Sequence, residues 1–374
     1  MKLAIERAAL LRSLSHVQNV VERRTTIPIL SNVKLAAERA GLDLTATDMD
    51  LSMAASEEAR ILAEGATTVS AHTLFDIVRK LPEGSEVVLE QEPGTTELSL
   101  RAGRAVFTLP CLKADEFPAM DDVPEAYDVA FTMPAADLRK LIDKTRFAIS
   151  TEETRYYLNG IHVHASGAGA TAMLRGVATD GHRLARIEIA LPDGAGDIPP
   201  IIIPRKTVTE LRKLIEAIEG EVRVKVSTSR IQFVLEQAVL VSRLIDGTFP
   251  DYEKVIPVDN EKVASVEAGL FAETVDRVST ISTERARAVK LRFENGRITA
   301  SAVSTEAGRA LDEVDADYTG EPLEIGFNSR YILDMLAEIS GDLVRLEMAN
   351  PAAPTLVRDP ADASVLYVLM PMRV

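Results

Sequence analysis

Apolar residues recur at helical spacing in six segments of the 374-residue chain. Spacings of three and four residues place them on one side of a helix. The earlier helix of each third is marked by Leu10, Leu11, Leu14, Val17 and Val21, by Leu138, Leu141 and Ile142, and by Leu270, Val275, Val278 and Ile281. The later helix is marked by Leu74, Ile77, Val78 and Leu81, by Val208, Leu211, Leu214, Ile215 and Ile218, and by Ile332, Met335, Leu336 and Ile339. The pattern therefore predicts two amphipathic helices in each third.

Alternating apolar and polar residues predict strands between these helices. Each later helix is followed by a glycine-containing turn and an alternating run, namely SEVVLE, EVRVKVS or DLVRLEMA. The order is strand, helix, several strands, helix, several strands, three times over. The expected architecture of each third is two helices on one face of antiparallel sheets, which is α+β in class.

Two short motifs repeat at one offset. TDGHRL at 179–184 has a partial copy, TDMDL at 47–51, and the two motifs start 132 residues apart. Phe-Pro repeats at the same offset, at 117–118 and 249–250. Repeats of this length predict three related domains of the commonest domain size. Their predicted bounds are 1–125, 126–254 and 255–374.

The composition is that of a folded protein, with 46% hydrophobic and 26% charged residues. The single cysteine, Cys111, excludes an intramolecular disulfide framework and a Cys-based zinc cluster, and it fits a reducing cytoplasm. Charge interrupts the N-terminal segment and no run of about 18 apolar residues occurs, so we expect neither an export signal nor a membrane span. The net charge of −15, taken alone, argues against a nucleic-acid partner.

Basic residues nevertheless concentrate on helices. The first predicted helix carries on one face Arg12, His16, Asn19 and Arg23. Residues 135–147 and 204–216 are each net +2, whereas the helices of the last third, 268–281 and 328–339, are each net −1. The acids lie mostly in turns and at strand edges, which predicts a bipolar molecule. For any single helix, an ordinary solvated face is the alternative interpretation.

TDGHRL raises a catalytic alternative, because it contains Asp180, His182 and Arg183. His162 and His164 share a strand face if IHVH is extended, and they could join His182 as metal ligands of a hydrolase. No HExxH or GxxxxGK[ST] motif supports such chemistry. We therefore expect no metal, no cofactor and no catalytic residue. A metal-dependent hydrolase and a three-domain scaffold that binds peptides but not DNA remain the alternatives.

The last residues, LYVLMPMRV, are nearly all apolar, and Met370 and Met372 flank Pro371. Proline ends a strand ladder, so the tail is predicted to lie in a groove. Methionine is flexible and polarisable, which suits a surface that receives varied partners.

Several motifs together resemble the bacterial β sliding clamp, the processivity subunit of the replicative DNA polymerase. They are TDGHRL, RYYLNG at 155–160, IPRK at 203–206, DGTFPDY at 246–252, IGFN at 325–328 and the ending YVLMPMRV. The resemblance spans the whole chain. It implies a cytoplasmic, non-catalytic, head-to-tail homodimer whose six domains close a ring around duplex DNA after loading by a separate ATPase.

The resemblance also implies three sets of site residues. A pocket for short peptides with hydrophobic anchors would comprise Tyr157, Leu158, Thr179, Gly181, His182, Arg183, Leu184, Pro250, Lys254, Val255, Asn328, Tyr331, Leu369, Met370, Pro371, Met372 and Arg373. Sequence-independent contacts to DNA would come from Arg23, Arg24, Arg79, Lys80, Lys140, Lys144, Arg155, Tyr156, Arg205 and Lys206. The dimer interface would include Phe107, Leu109, Thr280, Ile281 and Glu306.

The implied clients of the pocket are the polymerase catalytic subunit, the clamp-loader complex, translesion polymerases, ligase and mismatch-repair proteins. TDMDL has Met49 and Asp50 where TDGHRL has Gly181 and His182, so one pocket per subunit is expected. Lys254 stands where better-known members have arginine, which predicts a weaker contact at the pocket rim. The segment SAVSTEAGRALDE carries fewer acids than the family's interface does, which predicts a weaker charged rim there.

Overall fold

The structure is a computed structural model that describes residues 1–118, 127–216, 218–282 and 287–373. These residues contain the six predicted helices, which are α1 (Arg7–Val17), α2 (Ala71–Lys80), α3 (Ala135–Arg146), α4 (Arg205–Leu214), α5 (Ala268–Ser279) and α6 (Ser329–Leu336). None of the helices in the described residues is long and apolar enough to cross a membrane.

Strands make up most of the remaining regular structure. From the N-terminus they are β1 (Lys2–Glu6), β2 (Asn32–Glu38), β3 (Gly41–Thr47), β4 (Leu51–Glu57), β5 (Arg60–Ala63), β6 (Gly65–Ser70), β7 (Glu86–Glu90), β8 (Glu97–Ala102), β9 (Ala105–Leu112), β10 (Val129–Pro134), β11 (Gly160–Ser166), β12 (Met173–Thr179) and β13 (Arg183–Ala190). They continue as β14 (Ile201–Pro204), β15 (Glu221–Val226), β16 (Arg230–Val234), β17 (Ala238–Arg243), β18 (Lys262–Glu267), β19 (Ala288–Glu294), β20 (Arg297–Ser304), β21 (Gly308–Asp317), β22 (Leu323–Asn328), β23 (Leu343–Met348), β24 (Thr355–Arg358) and β25 (Val365–Leu369).

In the described residues these strands form two antiparallel sheets, of 13 and 12 strands. The strands of the middle third are shared between them, because β10 and β15 to β17 join the first sheet and β11 to β14 join the second. β17 pairs with β4 in the first sheet, with Ala238 opposite Ala55. β13 pairs with β25 in the second, with Arg183 opposite Leu369. The two junctions are therefore built alike.

Contacts between Cα atoms divide the chain into two compact units, and neither coincides with a sequence third. The first unit comprises residues 1–136, 192–198 and 206–244, and the second comprises 137–191, 199–205 and 245–374. The first unit contains β10 and β15 to β17 of the middle third, and the second contains β11 to β14. The predicted boundary at 125/126 lies outside the described residues, and the one at 254/255 falls in the single-turn helix Tyr252–Val255.

In the first unit, α1 packs against α2 and against β3 and β4. The side chains that the helical spacing placed inward, including Leu10, Leu14, Val17 and Val78, are fully buried. Burying such aliphatic side chains stabilises the fold by about 1.5–3 kcal/mol each. The predicted inner face of these two helices is confirmed.

In the second unit, α5 packs against α6, β20 and β21. Phe271, Val275 and Val278 are buried, but the assignment of Leu270 to the inner face was wrong, since it is 54% exposed. Phe271 takes the core position because Phe271, Val275 and Val278 are spaced by four and three residues and share one helix face, whereas Leu270 lies five residues before Val275.

Candidate functional site

The TDGHRL turn joins β12 to β13 through local hydrogen bonds. The Asp180 carboxylate accepts the backbone N–H groups of His182 at 2.9 Å and Arg183 at 3.0 Å. Thr179 Oγ1 accepts the N–H of Gly181 at 3.1 Å and donates to the carbonyl of Arg183 at 2.7 Å. Asp and Thr side chains commonly form hydrogen bonds of this kind with the backbone groups of a turn. Asp180 thus holds the turn, and the structure does not place it as a catalytic group.

Gly181 is needed in this turn for two reasons. Its φ of +87° lies in the left-handed region that favours glycine. An added Cβ would also come within 2.5 Å of Arg155 Nη1, so the Arg155 guanidinium lies directly over the glycine. Arg155 Nη2 is held by Glu152 at 2.6 Å, and this hydrogen bond raises the pKa of the arginine. The structure therefore places Arg155, a predicted DNA contact, against the TDGHRL turn.

The TDMDL turn repeats the same conformation in the other unit. Asp48 Oδ1 accepts the N–H groups of Asp50 at 2.9 Å and Leu51 at 2.7 Å, and Thr47 Oγ1 accepts that of Met49 at 3.1 Å. Met49, at the position of Gly181, has a φ of +82°. A non-glycine residue pays about 1–2 kcal/mol for that conformation. The 132-residue repeat is thus a repeat of one turn, and only the TDGHRL copy carries glycine.

Arg183 connects the TDGHRL turn to α6 and to the end of α3. Its side chain donates to Asp334 at 2.5 Å, to the carbonyl of Phe147 at 2.6 Å and to Asp180 at 3.1 Å. The guanidinium also lies 4.4 Å from the ring centroid of Tyr331. Arg183 is only 8% exposed. Three of its five N–H donors are therefore used by protein acceptors, and the expected hydrogen bond from Arg183 to a ligand stays a prediction.

The C-terminal tail, residues 370–373, follows β25 and lies beside this turn. The N–H of Met370 donates to the carbonyl of His182 at 2.9 Å, and that of Met372 donates to Gly326 at 2.8 Å. The His182 ring is stacked with Tyr331 at a centroid distance of 6.1 Å. Met370 and Met372 are half-buried and Arg373 is exposed. The tail predicted to lie in a groove thus crosses from the turn to β22.

A buried apolar cluster underlies the turn and the tail. It contains Leu158, Val177, Leu184, Ile202, Phe249, Tyr252, Leu356, Leu366 and Val368, with Tyr157 packed against it. Leu158 and Leu184 are 4% and 2% exposed, and Leu369 is 3% exposed, so these predicted pocket residues form the floor. Asn328 accepts the N–H of Arg330 at 3.0 Å and caps α6.

One wall beside this cluster is the segment 249–255. Pro250 and Val255 are exposed, while Phe249 and Tyr252 anchor the segment in the cluster. Lys254 is 81% exposed and pairs with Asp251 at 2.9 Å, and this hydrogen bond raises the lysine pKa. Lys254 is therefore available at the surface beside this segment, and its place at a pocket rim stays a prediction.

His162 and His164 lie on one face of β11, as the IHVH motif predicted, and both contact the segment 249–255. The His162 ring stacks on Phe249 at a centroid distance of 4.6 Å and an angle of 10°. His164 Nε2 lies 2.9 Å from the hydroxyl of Tyr252. Within the described residues no three His, Cys, Asp or Glu side chains are placed to hold a metal ion. Aromatic packing and a hydrogen bond therefore account for the two histidines.

The predicted DNA-contact residues fall into two groups. Several are tied to acceptors of the protein: Lys140 to Asp362 and Ser364, Lys144 to Glu338 and Ser340, Lys206 to Asp48 and Val20, and Arg79 to Asp76. In the part of the chain that the structure describes, no ion pair is found for Arg23, Arg24 and Lys80, and all three are exposed. Tyr156 is 54% exposed, and Arg205 begins α4. Sequence reasoning missed the acceptors of the three lysines, because they come from distant segments, whereas Asp76 is only three residues from Arg79.

Two strands have an unpaired edge over most of their length. Among the described residues, β9 pairs with β6 only at Cys111 and Leu112, and β21 pairs with β18 only at its last two residues. Large apolar side chains are exposed close to these edges: Val106 (61%), Val303 (70%) and Leu311 (68%). Sequence reasoning missed all three. These residues alternate with inward-facing neighbours along their strands, and that alternation could have indicated that they are exposed.

Of the residues assigned to the dimer interface, Leu109 is only 7% exposed and Phe107 is half-buried. Both alternate with the exposed Val106 along β9, so they face the interior of their own subunit. Thr280 and Glu306 are exposed, and Ile281 is half-buried. The assignment of these five residues to the dimer interface stays a prediction.

Comparisons with known proteins agree along the full length. Models of the N-terminal, central and C-terminal domains of the DNA polymerase III beta subunit match residues 1–121, 132–251 and 253–373. The chain is 52% identical to a beta sliding clamp of Caulobacter vibrioides and 37% identical to that of Pseudomonas aeruginosa, with both chains covered completely in each case. A Bartonella birtlesii sliding clamp, solved bound to griselimycin, superimposes with a TM-score of 0.97 at 47% identity and complete coverage of both chains. A Caulobacter crescentus clamp does so with a TM-score of 0.95 at 52% identity, covering 100% of this chain and 99% of the other.

These matches confirm the resemblance, the α+β clamp fold and the absence of a catalytic role. They leave no support for the metal-dependent hydrolase, which the positions of His162 and His164 had already disfavoured. The chain belongs to the DNA polymerase III beta subunit family, and it is a beta sliding clamp, a non-catalytic processivity factor of DNA replication.

Proposed function

We propose that this clamp tethers its clients through one peptide-binding pocket per subunit, built on the TDGHRL turn. The observation that carries the proposal is convergence: the turn, the segment 249–255 and the C-terminal tail all border one buried apolar cluster. A concave apolar surface with a few fixed polar groups suits a short peptide with hydrophobic anchors. The Bartonella birtlesii clamp binds griselimycin, which supports a ligand-binding surface on this fold.

The walls of this pocket differ in rigidity. His182 and the tail offer backbone groups and methionine side chains, while Arg183 is buried and holds the turn from behind. Flexible methionines can repack around different side chains. The pocket can therefore serve several clients: the replicative polymerase, the clamp-loader ATPase complex, translesion polymerases, ligase and mismatch-repair proteins.

Ring closure is proposed to occur between the unpaired edge of β9 in one subunit and that of β21 in its partner. An exposed strand edge is a ready template for another strand. Pairing these edges would cover Val106, Val303 and Leu311, which are otherwise exposed. A contact between two different edges is head-to-tail, and with two subunits it closes a ring of six domains, with the predicted bounds 1–125, 126–254 and 255–374 in each subunit.

The ring is proposed to encircle duplex DNA without reading its sequence. Contacts from Lys and Arg to phosphate carry no sequence information, and they weaken as salt rises. Arg23, Arg24 and Lys80 have no ion-pair partner among the described residues, so they supply the readiest phosphate contacts. The net charge of −15 is compatible with this role, because a closed ring stays on DNA by encircling it and does not need high affinity. We place the protein in the cytoplasm, with the chromosome that it serves.

The topological mechanism is tested by loading the protein onto nicked circular DNA with a clamp loader and then linearising the circle. The clamp is expected to stay on the circle and to leave linear DNA within minutes unless the ends are blocked. Retention on linear DNA with free ends, or salt-sensitive binding without a loader, would refute encirclement.

The pocket is tested by fluorescence anisotropy with a fluorescein-labelled ten-residue peptide that carries leucine and phenylalanine anchors. Deleting residues 372–374 is expected to abolish binding while light scattering still reports a dimer. Unchanged peptide affinity in that variant would place the pocket elsewhere.

A further inference from the structure

The segment 249–255 is anchored at two aromatic residues, three positions apart. Phe249 and Tyr252 are 9% and 6% exposed, whereas Pro250 and Val255 are exposed. Pro250 follows Phe249 directly, and Val255 follows Tyr252 at the end of the same single-turn helix, Tyr252–Val255. Whatever fixes Phe249 and Tyr252 therefore fixes the wall of the proposed pocket.

His162 fixes the first anchor. Its ring lies parallel to Phe249, and its Nδ1 donates to the carbonyl of Ile201 at 3.0 Å. Burial lowers the pKa of His162 to about 4, so the ring is neutral at neutral pH. A neutral ring stacks on phenylalanine without the cost of burying a charge.

His164 fixes the second anchor, and its tautomer follows from its partners. Nδ1 faces the carbonyl of Ala165 at 2.9 Å and must donate, so Nε2 accepts the O–H of Tyr252 at 2.9 Å. Burial raises the pKa of Tyr252, which keeps the proton on the hydroxyl. Arg175 Nη1 donates to the same hydroxyl at 3.3 Å and to Glu253 at 2.5 Å.

The two histidine rings lie side by side, with their centroids 4.9 Å apart, so they can contact two neighbouring anchors. Residues two apart on a strand face the same side, about 6.6–6.8 Å from each other. Phe249 and Tyr252 have their ring centroids 6.5 Å apart. The charged groups around this site, Arg175, Glu188 and Glu253, are paired among themselves.

We propose that His162 and His164 are positioning residues of the peptide pocket, which hold Phe249 and Tyr252 so that Pro250 and Val255 form its wall. The inference rests on the proposed function of the TDGHRL pocket and adds residues that do not touch the peptide themselves. It assigns the IHVH motif to control of peptide affinity rather than to metal binding.

The test measures affinity for the labelled leucine–phenylalanine peptide with the full chain. His162→Ala is expected to weaken binding about tenfold, and His162→Phe, which keeps the aromatic stack, is expected to restore it to within about threefold of wild type. Tyr252→Phe and His164→Ala should each weaken binding about fivefold. The double variant should bind no more weakly than Tyr252→Phe alone, since that variant already removes the hydrogen bond that the two residues share.

The matched control is Tyr318→Phe. Tyr318 is equally buried, at 1% exposed, and its hydroxyl donates to the carbonyl of Glu321 at 2.6 Å. This variant is expected to lower the unfolding temperature and leave peptide affinity unchanged. Equal losses of affinity in Tyr252→Phe and Tyr318→Phe, or no rescue by His162→Phe, would overturn the positioning role. A wild-type chain that does not bind the peptide would instead refute the pocket itself.

Discussion

Replacing Arg183 with methionine removes the guanidinium that joins the TDGHRL turn to α6, and it keeps much of the apolar stem. Three hydrogen bonds are lost, to Asp334 at 2.5 Å, to the Phe147 carbonyl at 2.6 Å and to Asp180 at 3.1 Å. Removing one partner of a buried ion pair costs about 3–5 kcal/mol. The side chains of Asp334 and Asp180 are 30% and 16% exposed, so water offsets part of the loss. We expect the free energy of unfolding to fall by about 3 kcal/mol.

Arg330→Met is the matched control, because Arg330 approaches the same Asp334 carboxylate at only 4.0 Å and is 68% exposed. Its loss is expected to stay below about 0.5 kcal/mol. Urea unfolding followed by circular dichroism measures both variants, since the chain has no tryptophan. Equal losses in the two variants, or a loss below about 1 kcal/mol for Arg183→Met, would refute the reasoning that burial makes this guanidinium important.

Three further predictions concern stability and assembly, and they are measured by unfolding and by light scattering. Met49→Gly relieves a φ of +82° and should raise the free energy of unfolding by about 1 kcal/mol, whereas Gly181→Ala should lower it; the same sign for both would contradict the shared turn conformation. His162 has a folded-state pKa of about 4, below the 6.5 of the exposed ring, so the unfolded chain binds the proton first as pH falls. Stability should therefore drop by about 1 kcal/mol between pH 7 and about 5.5, and a drop of the same size in His162→Phe would exclude this histidine as the cause. Val106→Asp places a charge at a position that is 61% exposed in the subunit, so the free energy of unfolding should change by less than about 0.5 kcal/mol. Light scattering should nevertheless show monomers, because the charge would be buried at the proposed interface. A persistent dimer would exclude the β9 edge from the dimer interface.

The helices and the turn repeat could be predicted because their causes are local. Helical spacing places Leu10, Leu14 and Val78 on inner faces whatever lies opposite them. The TDGHRL and TDMDL turns share a conformation because Thr and Asp side chains bond backbone groups within four residues. The residue that distinguishes the two copies, Met49 or Gly181, was visible at once, but the positive φ of Met49 was not.

The rest depends on contacts between distant segments, which no local pattern encodes. Arg183 and its partner Asp334 are 151 residues apart, so a motif that looked like a ligand site holds a buried structural arginine. His162 and His164 were recognised as a pair, but the aromatic residue that His164 contacts, Tyr252, follows 88 residues later. The division of the middle third between two sheets could not be predicted either. Alternation of apolar and polar residues predicts a strand, but it does not say which strand it pairs with.

The paired lysines bear on how a ring can slide. Lys140 lies 2.8 Å from Asp362, and Lys206 is bonded to Asp48, so a carboxylate already sits beside each ammonium group. A phosphate that approaches such a lysine must compete with a fixed acid, and the net gain is smaller than for a free cation. Strong, localised phosphate contacts would raise the barrier between successive positions on DNA. A clamp retained by topology needs only weak contacts, so lysines paired in this way would limit the hold of the proposed ring on any one phosphate.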